Sequence, residues 1–432
     1  MYVCTDVDLA SKIYKTDKTF SFVQLERLVF GSLGCSARDL ELLEAGLSLQ
    51  IRKMYPMYLQ GKSLSVMNKV FMETLKSNIR TEWPNNGEWK ELDLVAFIRK
   101  QWTIAGITSQ FGSKFLDING RDKVAEWLWD FDGNLQFLFT GLPDFVVINA
   151  ARTRETGLKM LIAWERSAME TSPERKDGEF WDESWGMHLL RERSQLMRGM
   201  GINERGRAAI QLAFLWGANA NAIPVASWFV IQALSNPTLL LTLNHELDVA
   251  GVDTSLDVPK LEEGTRIWSF LMECYRWSVY SPGVRTVEED VDIGPYRLLK
   301  GGMILVHART LQLDRGIWGE DAHIFDASRF LGHSSQTHDD LQTPLLTNRD
   351  EKKRKQSMKH FGGGTHHCPG RHLAGQEIVG GFAVLMETLQ MEIVAEKMSR
   401  IGIPEPDMAS GKQGGLWPDR EFWVRIKRKE SS

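Results

Sequence analysis

The stretch that most constrains this chain is Phe361–Ala374, a glycine-rich loop that presents a single cysteine just ahead of an apolar helical pattern. Its three consecutive glycines, Gly362–Gly364, allow backbone conformations that a Cβ would forbid, and they permit close approach to a flat ligand. Pro369 stiffens the chain after Cys368, and Gly370 adds no side-chain bulk. We expect a thiolate at this position to lie beside a helix N-terminus, where the macrodipole and free N–H groups favour an anion.

Two other interpretations of this stretch are open. The cysteine can be an inert, buried structural residue beside a glycine loop, as free cysteines often are. A zinc site is the second alternative, but its ligands would be crowded into one short loop without the paired spacing of structural zinc motifs. Its candidate ligands are His360, His366, His367, Cys368 and His372.

Composition bounds the class of protein. The 432 residues are 43% hydrophobic and 25% charged, which is enough apolar material for a large packed core and argues against disorder. No Pro/Ser-rich linker or low-complexity tract divides the sequence, so we predict one large domain over residues 1–432. The formal net charge of −4 does not indicate a nucleic-acid partner. Four scattered cysteines are too few for a disulfide framework and favour a reducing compartment.

The longest apolar helical stretch runs from Ala208 to Leu234. A helix that is apolar on all sides is buried either in a large protein or in a membrane. Asparagines and Pro224 in its middle make a membrane span the weaker choice. Pro224 has no N–H for the carbonyl of Ala220, so we expect a local opening of the helix beside Gly217. The alternative is a kinked core helix whose polar residues are satisfied.

Phe361, Gly364, His366, Cys368 and Gly370 stand as F-x-x-G-x-[His/Arg]-x-C-x-G, which resembles the haem-thiolate signature of the cytochrome P-450 family. The resemblance implies a mainly α-helical domain with small β-sheets, and haem b as the cofactor. It also implies that Cys368 is the axial iron ligand and that His366 faces a haem propionate. Phe361, Gly364 and Gly370 then belong to the cofactor-binding loop.

Glu273 and Arg276 lie three residues apart in a helical pattern and so share one helix face. Alone, such a pair is usually a solvated bridge worth less than about 1 kcal/mol. Its place about ninety residues before the cysteine loop resembles the E-x-x-R motif of the same family. The resemblance implies that Arg329 completes a buried structural set with these two residues.

Arg285 is the arginine of a Val-Arg-Thr-x-x-Glu-Asp motif that resembles the sterol-hydroxylase branch of the family. By that resemblance its guanidinium reaches a haem propionate, for which the planar fork of donors is suited. The alternative is an arginine on a surface strand. The basic run Glu351–Lys355 and Lys359 would border the thiolate side of the haem, where family members dock flavoprotein reductases. A solvated surface is the alternative for that run.

Residues Gly217–Asn221 fall where most family members have [Ala/Gly]-Gly-x-[Asp/Glu]-Thr. Ala220 stands in place of the acid and Asn221 in place of the alcohol, so the usual proton relay is in doubt. An amide both donates and accepts hydrogen bonds, and we expect Asn221 to act catalytically by ordering distal water. By resemblance the substrate pocket is lined by Gly217, Ala218, Val225, Val279 and Val284.

These features predict a monooxygenase that hydroxylates or otherwise oxidises a lipophilic small molecule with O2, using electrons from an NADPH-dependent flavoprotein reductase. The wording is most similar to the sterol-hydroxylase and prostacyclin-synthase branch and to fungal enzymes of secondary metabolite biosynthesis, so a terpenoid, sterol, polyketide or alkaloid is the expected substrate. Replacement of the acid by Ala220 motivates an alternative, a haem-thiolate isomerase or dehydratase that needs neither O2 nor NADPH. A non-catalytic haem-binding remnant is the third possibility.

The first residues contain no signal peptide and no run of about 20 apolar residues. Eukaryotic members of the family usually carry an N-terminal membrane anchor, which this sequence lacks. We therefore expect an intracellular protein, held at the endoplasmic reticulum surface if an anchor precedes the sequence and soluble otherwise.

Overall fold

The computed structural model describes residues 1–83, 87–174, 178–249, 265–331, 348–410 and 413–429. Helices dominate and the β-sheets are small, which confirms the predicted mainly α-helical class. In chain order the helices are α1 (Val7–Lys15), α2 (Val23–Leu33), α3 (Ala37–Leu42), α4 (Ser48–Tyr58), α5 (Gly61–Glu82), α6 (Leu94–Phe111), α7 (Ser113–Asn119), α8 (Arg121–Leu138), α9 (Ile148–Thr171), α10 (His188–Gly199), α11 (Glu204–Asn219), α12 (Ala222–Ser235), α13 (Pro237–Val249), α14 (Arg266–Ser278), α15 (Ala308–Gln312), α16 (Arg315–Trp318), α17 (Asn348–Ser357), α18 (Arg371–Thr388) and α19 (Ala395–Ile401).

The strands are short, and each belongs to a sheet of two to four strands. In chain order they are β1 (Tyr2–Cys4), β2 (Phe20–Ser21), β3 (Lys90–Asp93), β4 (Trp181–Asp182), β5 (Gly186–Met187), β6 (Val279–Tyr280), β7 (Pro282–Val287), β8 (Val291–Ile293), β9 (Tyr296–Leu298), β10 (Met303–His307), β11 (Leu389–Ile393), β12 (Gly414–Gly415) and β13 (Trp423–Arg428).

Two compact units make up the chain, each assembled from three segments. The first unit comprises Met1–Leu25, Pro224–Arg371 and Arg400–Phe422. The second unit comprises Glu26–Ile223, His372–Ser399 and Trp423–Ser432. That residues 1–432 form one domain stays a prediction, which the presence of two compact units does not test.

The first unit is built on a four-stranded sheet in the order β1-β10-β7-β2. Strand β1 runs parallel to β10, with Tyr2 opposite Ile304, and the remaining neighbours are antiparallel. Ile304 and Val306 are buried in a common apolar cluster while Met303 is exposed, as the two-residue alternation of a strand requires. Helix α1 packs into the same cluster. The side chain of Asp6 caps this helix by accepting from the Leu9 N–H at 2.8 Å.

The second unit is a helical core around α6, which is buried along most of its length. Asp93 caps the helix by accepting from the N–H groups of Val95 and Ala96, each at 3.1 Å. The apolar spacing of residues 92–111 predicts a helix, and α6 occupies Leu94–Phe111 of that stretch. Helix α18 packs close to α6 because Gly381 faces Trp102, and a Cβ on that glycine would lie 2.2 Å from the indole ring.

The long apolar stretch is two helices in sequence. Helix α11 ends at Asn219 and α12 begins at Ala222, so the expected opening is present immediately ahead of Pro224. Pro224 lies in the first turn of α12, where its missing N–H breaks no helical hydrogen bond. Over the described residues, Glu204–Ser235 is the one stretch apolar enough by composition to cross a membrane. However, 72% of its most apolar window is buried inside the protein, as in a core helix.

Candidate active site in the cysteine loop

The backbone of the cysteine loop closes on itself. The N–H of Cys368 donates to the carbonyl of Phe361 at 3.0 Å, and the N–H of Gly362 donates to the carbonyl of Lys359 at 2.8 Å. A single 3₁₀ turn, Gly364–His366, fills the loop between them. The loop therefore fixes the direction of the cysteine side chain without a regular helix or strand under it.

Two glycines of this loop have positive φ, 72° at Gly362 and 69° at Gly364, a region that L side chains rarely adopt. A Cβ on Gly364 would lie 1.8 Å from the carbonyl oxygen of Tyr14, so helix α1 leaves no room for any side chain there. At Gly370 a Cβ would lie 3.8 Å from the Cys368 Sγ, which is an ordinary contact. Gly364 is therefore required by packing, whereas the sulfur sets no such requirement at Gly370.

Burial raises the pKa of the Cys368 thiol, and the Gly370 N–H and the nearby Arg371 lower it to a smaller extent. The net direction is opposite to the one that a helix N-terminus alone predicts. Coordination to a metal removes the thiol proton outright, so burial and metal ligation are compatible. Within the described ranges, no group of three or more His, Cys, Asp or Glu side chains is placed to hold a metal ion, which argues against the zinc alternative.

Arg285 of β7 is 3% exposed, so the surface-strand alternative is wrong. Its guanidinium lies over the rings of Tyr14 and Phe22, 4.9 and 5.1 Å from their centroids, and its Nη1 donates to the Val284 carbonyl at 2.8 Å. Burial lowers the pKa of Arg285, although a guanidinium remains charged in proteins. Among the described residues its buried Nε has no hydrogen-bond partner, and no ion pair joins it to a carboxylate. This arginine is thus suited to a carboxylate from a bound group.

Phe22 brings together the two residues predicted to contact propionates. Its ring centroid is 4.8 Å from that of His366, and the same phenyl ring lies under the guanidinium of Arg285. The ring of Phe361 packs edge-on against Tyr275 of α14, with 5.0 Å between the ring centroids. The sequence pattern did not indicate Phe22, because its contribution depends on packing between distant segments.

Glu273 and Arg276 are completely buried, so the solvated-bridge alternative for this pair is wrong. Arg276 donates from both Nε and Nη2 to the two carboxylate oxygens of Glu273 at 2.6 Å. Arg329 adds a third contact, Nε to Oε1 at 3.3 Å, and the Asp326 N–H a fourth at 2.9 Å. The structure thus brings together all three residues of the expected structural set.

The predicted pocket residues are distributed over both units. In the second unit Gly217 is exposed, Ala218 is half-buried and Asn221 is exposed in the open turn after α11. In the first unit Val225 of α12 and Val279 of β6 are buried, and Val284 of β7 is half-buried. Their roles in substrate binding and oxygen chemistry stay predictions.

A cavity of about 530 Å³ lies beside the cysteine loop in the first unit. The predicted basic run forms α17, and two of its lysines line this cavity together with two lysines from elsewhere in the unit. The lining residues are Ser11, Tyr14, Lys15, Glu351, Lys352, Lys355, Gln356, Lys359, Gly363 and Gly364. Four lysines against one glutamate make the entrance basic.

Sequence analysis missed one buried acid. Glu377 of α18 is 2% exposed, and its Oε1 accepts from Gln110 Nε2 at 3.2 Å. Burial raises the pKa of Glu377 from 4.5 to about 8, with Gln110 opposing that shift. The available signal was a single charged residue in the otherwise largely apolar run Leu373–Leu385 that follows the cysteine loop.

Comparison with known proteins decides the family. The cytochrome P-450 family model matches residues 154–412, more than half of the chain. The chain belongs to the cytochrome P-450 family. A cytochrome P-450 monooxygenase (efuG) of Hormonema carpetanum is 28% identical over 420 residues, covering 88% of this chain and 72% of the relative. A second one (fsoE), from Humicola fuscoatra, is 27% identical over 379 residues, covering 79% of this chain and 63% of the relative.

A 25-hydroxycholesterol 7-alpha-hydroxylase of Rattus norvegicus is 24% identical over 435 residues, covering 96% of this chain and 98% of the relative. This cytochrome P-450 is accordingly an oxidoreductase of the monooxygenase class, and its cofactor is haem. The loop fits that group, because Cys368 offers a single thiolate, Gly364 lies flush against α1 and Arg285 keeps an unsatisfied Nε. Haem supplies the activation of O2 when it is bound.

Proposed function

We propose that this cytochrome P-450 hydroxylates or otherwise oxidises a lipophilic small molecule, such as a terpenoid, sterol, polyketide or alkaloid, in secondary metabolite biosynthesis. The observation that carries the proposal is the closed cysteine loop, with its two positive-φ glycines and a buried arginine that lacks a carboxylate. The fungal relatives are named as monooxygenases, which supports the reaction type. The name of the rat 25-hydroxycholesterol 7-alpha-hydroxylase supports a lipophilic substrate.

In this proposal Cys368 ligates the iron, and the buried thiol loses its proton on ligation. Arg285 and His366 hold carboxylate groups of the haem, with Phe22 packed against both side chains. Because the guanidinium is nearly fully buried, its hydrogen bond to a carboxylate is charge-assisted and shielded from water. Glu273, Arg276 and Arg329 keep α14 and the segment around residue 326 in place and take no part in the chemistry.

Asn221 is proposed to order a water molecule for proton delivery during O2 activation. Ala220 carries no acid, so a proton has to travel through water, and the amide of Asn221 both donates and accepts hydrogen bonds. Asn221 is exposed in the turn between α11 and α12. Asn221→Ala should then lower the product formed per NADPH and raise the hydrogen peroxide released, with haem content unchanged.

Electrons are proposed to come from an NADPH-dependent flavoprotein reductase that docks on the basic face of the first unit. The cavity lined by Lys15, Lys352, Lys355 and Lys359 lies beside the cysteine loop, and its charge favours an acidic partner surface. A location at the endoplasmic reticulum surface belongs to the same proposal if an anchor precedes this sequence, and a soluble protein is expected otherwise.

The experiment that tests the site is replacement of the proposed ligand. Cys368→Ser should abolish the long-wavelength Soret band that thiolate-ligated haem gives when it is reduced and bound to carbon monoxide. Cys274→Ser is the matched control, because Cys274 is a fully buried free thiol elsewhere in the first unit. A Cys368→Ser protein that keeps the band would show that the ligand assignment is wrong.

A second measurement tests the reaction. The purified protein, reconstituted with a reductase, is screened by substrate-induced spectral shifts against sterols, terpenoids and aromatic alkaloids. Turnover of a binding compound should consume NADPH in stoichiometric relation to product. Product formed without NADPH and O2 would instead indicate the isomerase or dehydratase chemistry that Ala220 motivated.

A further inference from the structure

A buried chain of polar side chains crosses the second unit, and the proposed function does not use it. It begins at Glu377 on α18, continues through Gln110 on α6 and ends at Asn219, the last residue of α11. All three residues are at least 98% buried. Polar groups in such positions cost free energy unless they are hydrogen-bonded, so a continuous chain of them requires an explanation.

Gln110 links the other two side chains by hydrogen bonds. Its Nε2 donates to the Glu377 carboxyl at 3.2 Å, while its Oε1 accepts from Asn219 Nδ2 at 3.0 Å. An amide is the side chain that offers a donor at one corner and an acceptor at the other. The orientation of Gln110 is therefore fixed from both ends, and a carboxylate or an apolar side chain at this position would break the sequence of bonds.

Glu377 anchors the chain at the α18 end. Trp102 donates from its Nε1 to the Glu377 backbone carbonyl at 3.2 Å, which ties the same turn of α18 to α6. The carboxyl group has no arginine or lysine partner among the described residues, and burial raises its pKa to about 8. At neutral pH the anchor is thus an uncharged carboxylic acid, which is less costly to bury than a carboxylate.

At the other end, the Asn219 side chain is held by two hydrogen bonds. Its Nδ2 also donates to the Leu215 carbonyl at 2.8 Å, one turn earlier in α11. Gly106 of α6 makes room for the amide, since a Cβ there would lie 2.6 Å from Asn219 Oδ1. Because α11 ends at Asn219, whatever fixes this side chain also fixes the point at which the helix opens.

We propose that Glu377, Gln110 and Asn219 form a positioning chain that sets the turn after α11 and thereby the placement of Asn221. The three residues act through the turn and touch neither substrate nor oxygen. This inference rests on the proposed role of Asn221 for its catalytic meaning, but its geometric content, a turn fixed from α18 through α6, is independent of that role.

The test compares two buried glutamines of the same helix. Gln110→Met keeps side-chain length and removes both hydrogen bonds. Gln101→Met is the matched control, because Gln101 is equally buried on α6 and donates to Glu82 at 3.0 Å, outside the chain. Hydrogen exchange of the ferric holoenzyme should be at least about tenfold faster at the amides of residues 219–223 in Gln110→Met, and within about twofold of wild type there in Gln101→Met.

The conservative variant Glu377→Gln keeps an acceptor for Gln110 and should retain wild-type exchange at residues 219–223. Equal exchange at those amides in Gln110→Met and Gln101→Met would overturn the proposal. If Gln110→Met does not fold, Asn219→Leu serves the same purpose at the other end of the chain, with the same two outcomes.

The yield of product per NADPH consumed distinguishes this inference from the proposed function. Product formed per NADPH should fall in Gln110→Met, and the Gln110→Met/Asn221→Ala double variant should be no worse than Asn221→Ala alone. If the losses of product per NADPH in the two single variants add up fully in the double variant, the three residues do not act through Asn221. If Asn221→Ala couples like wild type while Gln110→Met still shows fast local exchange, the chain stands as a positioning device and the role proposed for Asn221 fails.

Discussion

Glu273 in the first unit and Glu377 in the second are both buried glutamates, but their surroundings differ. Around Glu273, Arg276, Arg329 and a backbone N–H oppose the rise in pKa that burial causes. Around Glu377, one amide from Gln110 opposes it, and the pKa rises to about 8. The first carboxyl group is built into an ion network and the second is buried as an acid.

The difference shows how each unit holds its functional segment. In the first unit, charged partners fix a rigid support, and removal of the Glu273 carboxylate would leave Arg276 buried without one, while Arg329 would keep Asp321. In the second unit, neutral hydrogen bonds connect three helices, and their strength depends on the protonation of one group. We therefore expect the loss of the Glu273 carboxylate to destabilise the protein strongly, and the loss of the Glu377 carboxyl group to change mainly how stability depends on pH.

The same substitution in both units should give the largest contrast. Glu273→Gln should lower the free energy of unfolding by about 3–5 kcal/mol, because the fully buried Arg276 loses the carboxylate that it binds through two nitrogens and Arg329 keeps only Asp321. Glu377→Gln replaces a neutral acid by a neutral amide and should cost less than about 1 kcal/mol near pH 4, where the wild-type carboxyl group is mostly protonated in the folded and the unfolded protein. Urea denaturation followed by circular dichroism measures both, and similar losses in the two variants would remove the distinction between the networks.

A pH series sharpens the comparison further. The folded-state pKa of Glu377 lies above its unfolded value near 4.5, so its stabilising contribution is complete below pH 4.5 and is lost as pH rises toward 8. The slope from this group is at most about 1.4 kcal/mol per pH unit in that window.

Glu377→Gln should flatten the stability profile between pH 6 and 8 and leave it unchanged near pH 4.5. Unfolding free energies at half-unit intervals measure the slope in the wild type and the variant. Identical slopes would mean that Glu377 is ionised in the folded protein.

Two close-packed glycines, one in each unit, test whether the two units also differ in how well they accommodate an added methyl group. Gly364→Ala and Gly381→Ala should each cost about 1–3 kcal/mol from overpacking. The Cβ on Gly381 meets the ring of Trp102, so adding Trp102→Phe should recover part of the loss. The Cβ on Gly364 meets the backbone oxygen of Tyr14 at positive φ, and no side-chain change can relieve it. Thermal melts of the single and double variants measure the rescue, and a rescued Gly364→Ala through Tyr14→Ala would contradict this account.

The smallest effect on stability and the most local effect on function should come from surface charge. Reversing Lys352, Lys353 and Lys355 to Glu should slow reductase-supported turnover by about 3- to 10-fold, because the docking face loses its attraction for an acidic partner. Added salt should slow the wild type in the same assay. Peroxide-driven turnover and the melting temperature should stay unchanged.

The matched control makes the same change in charge on the second unit, where Lys53, Lys123 and Lys159 are exposed. Reversal of these three lysines should leave the reductase-supported rate within about twofold of wild type. An equal loss in both triple variants would indicate a general charge effect in place of a docking face.

Much of the fold could be predicted from local patterns. The apolar spacing around Val7–Tyr14 and over residues 92–111 predicts α1 and α6, since helical periodicity is a property of a few consecutive turns. The opening ahead of Pro224 follows from the covalent structure of proline and needs no tertiary information. The cysteine loop was recognisable because its glycines and cysteine are contiguous in the sequence.

The rest of the site depends on contacts between residues far apart in the chain. Phe22 packs against both Arg285 and His366, and no spacing within the sequence indicates that meeting. Gln110 and Asn219 are ordinary polar residues on helices until the fold places them in one line with Glu377. A single sequence indicates which residues are unusual, but the pairing of buried polar groups emerges only when helices pack.

The three-segment construction of the first unit has a consequence for biosynthesis. Tyr2 lies opposite Ile304 in the parallel pair β1–β10, and Gly364 packs against the carbonyl of Tyr14. The first twenty-five residues leave the ribosome early, yet the strand that completes their sheet and the loop that covers α1 are synthesised roughly 300 residues later. At about 5–20 residues per second, the nascent N-terminal segment waits tens of seconds with an apolar strand and helix face unpartnered. Contacts of such long sequence separation form slowly. The yield of protein able to take up haem should therefore depend on how well chaperones protect this segment during synthesis.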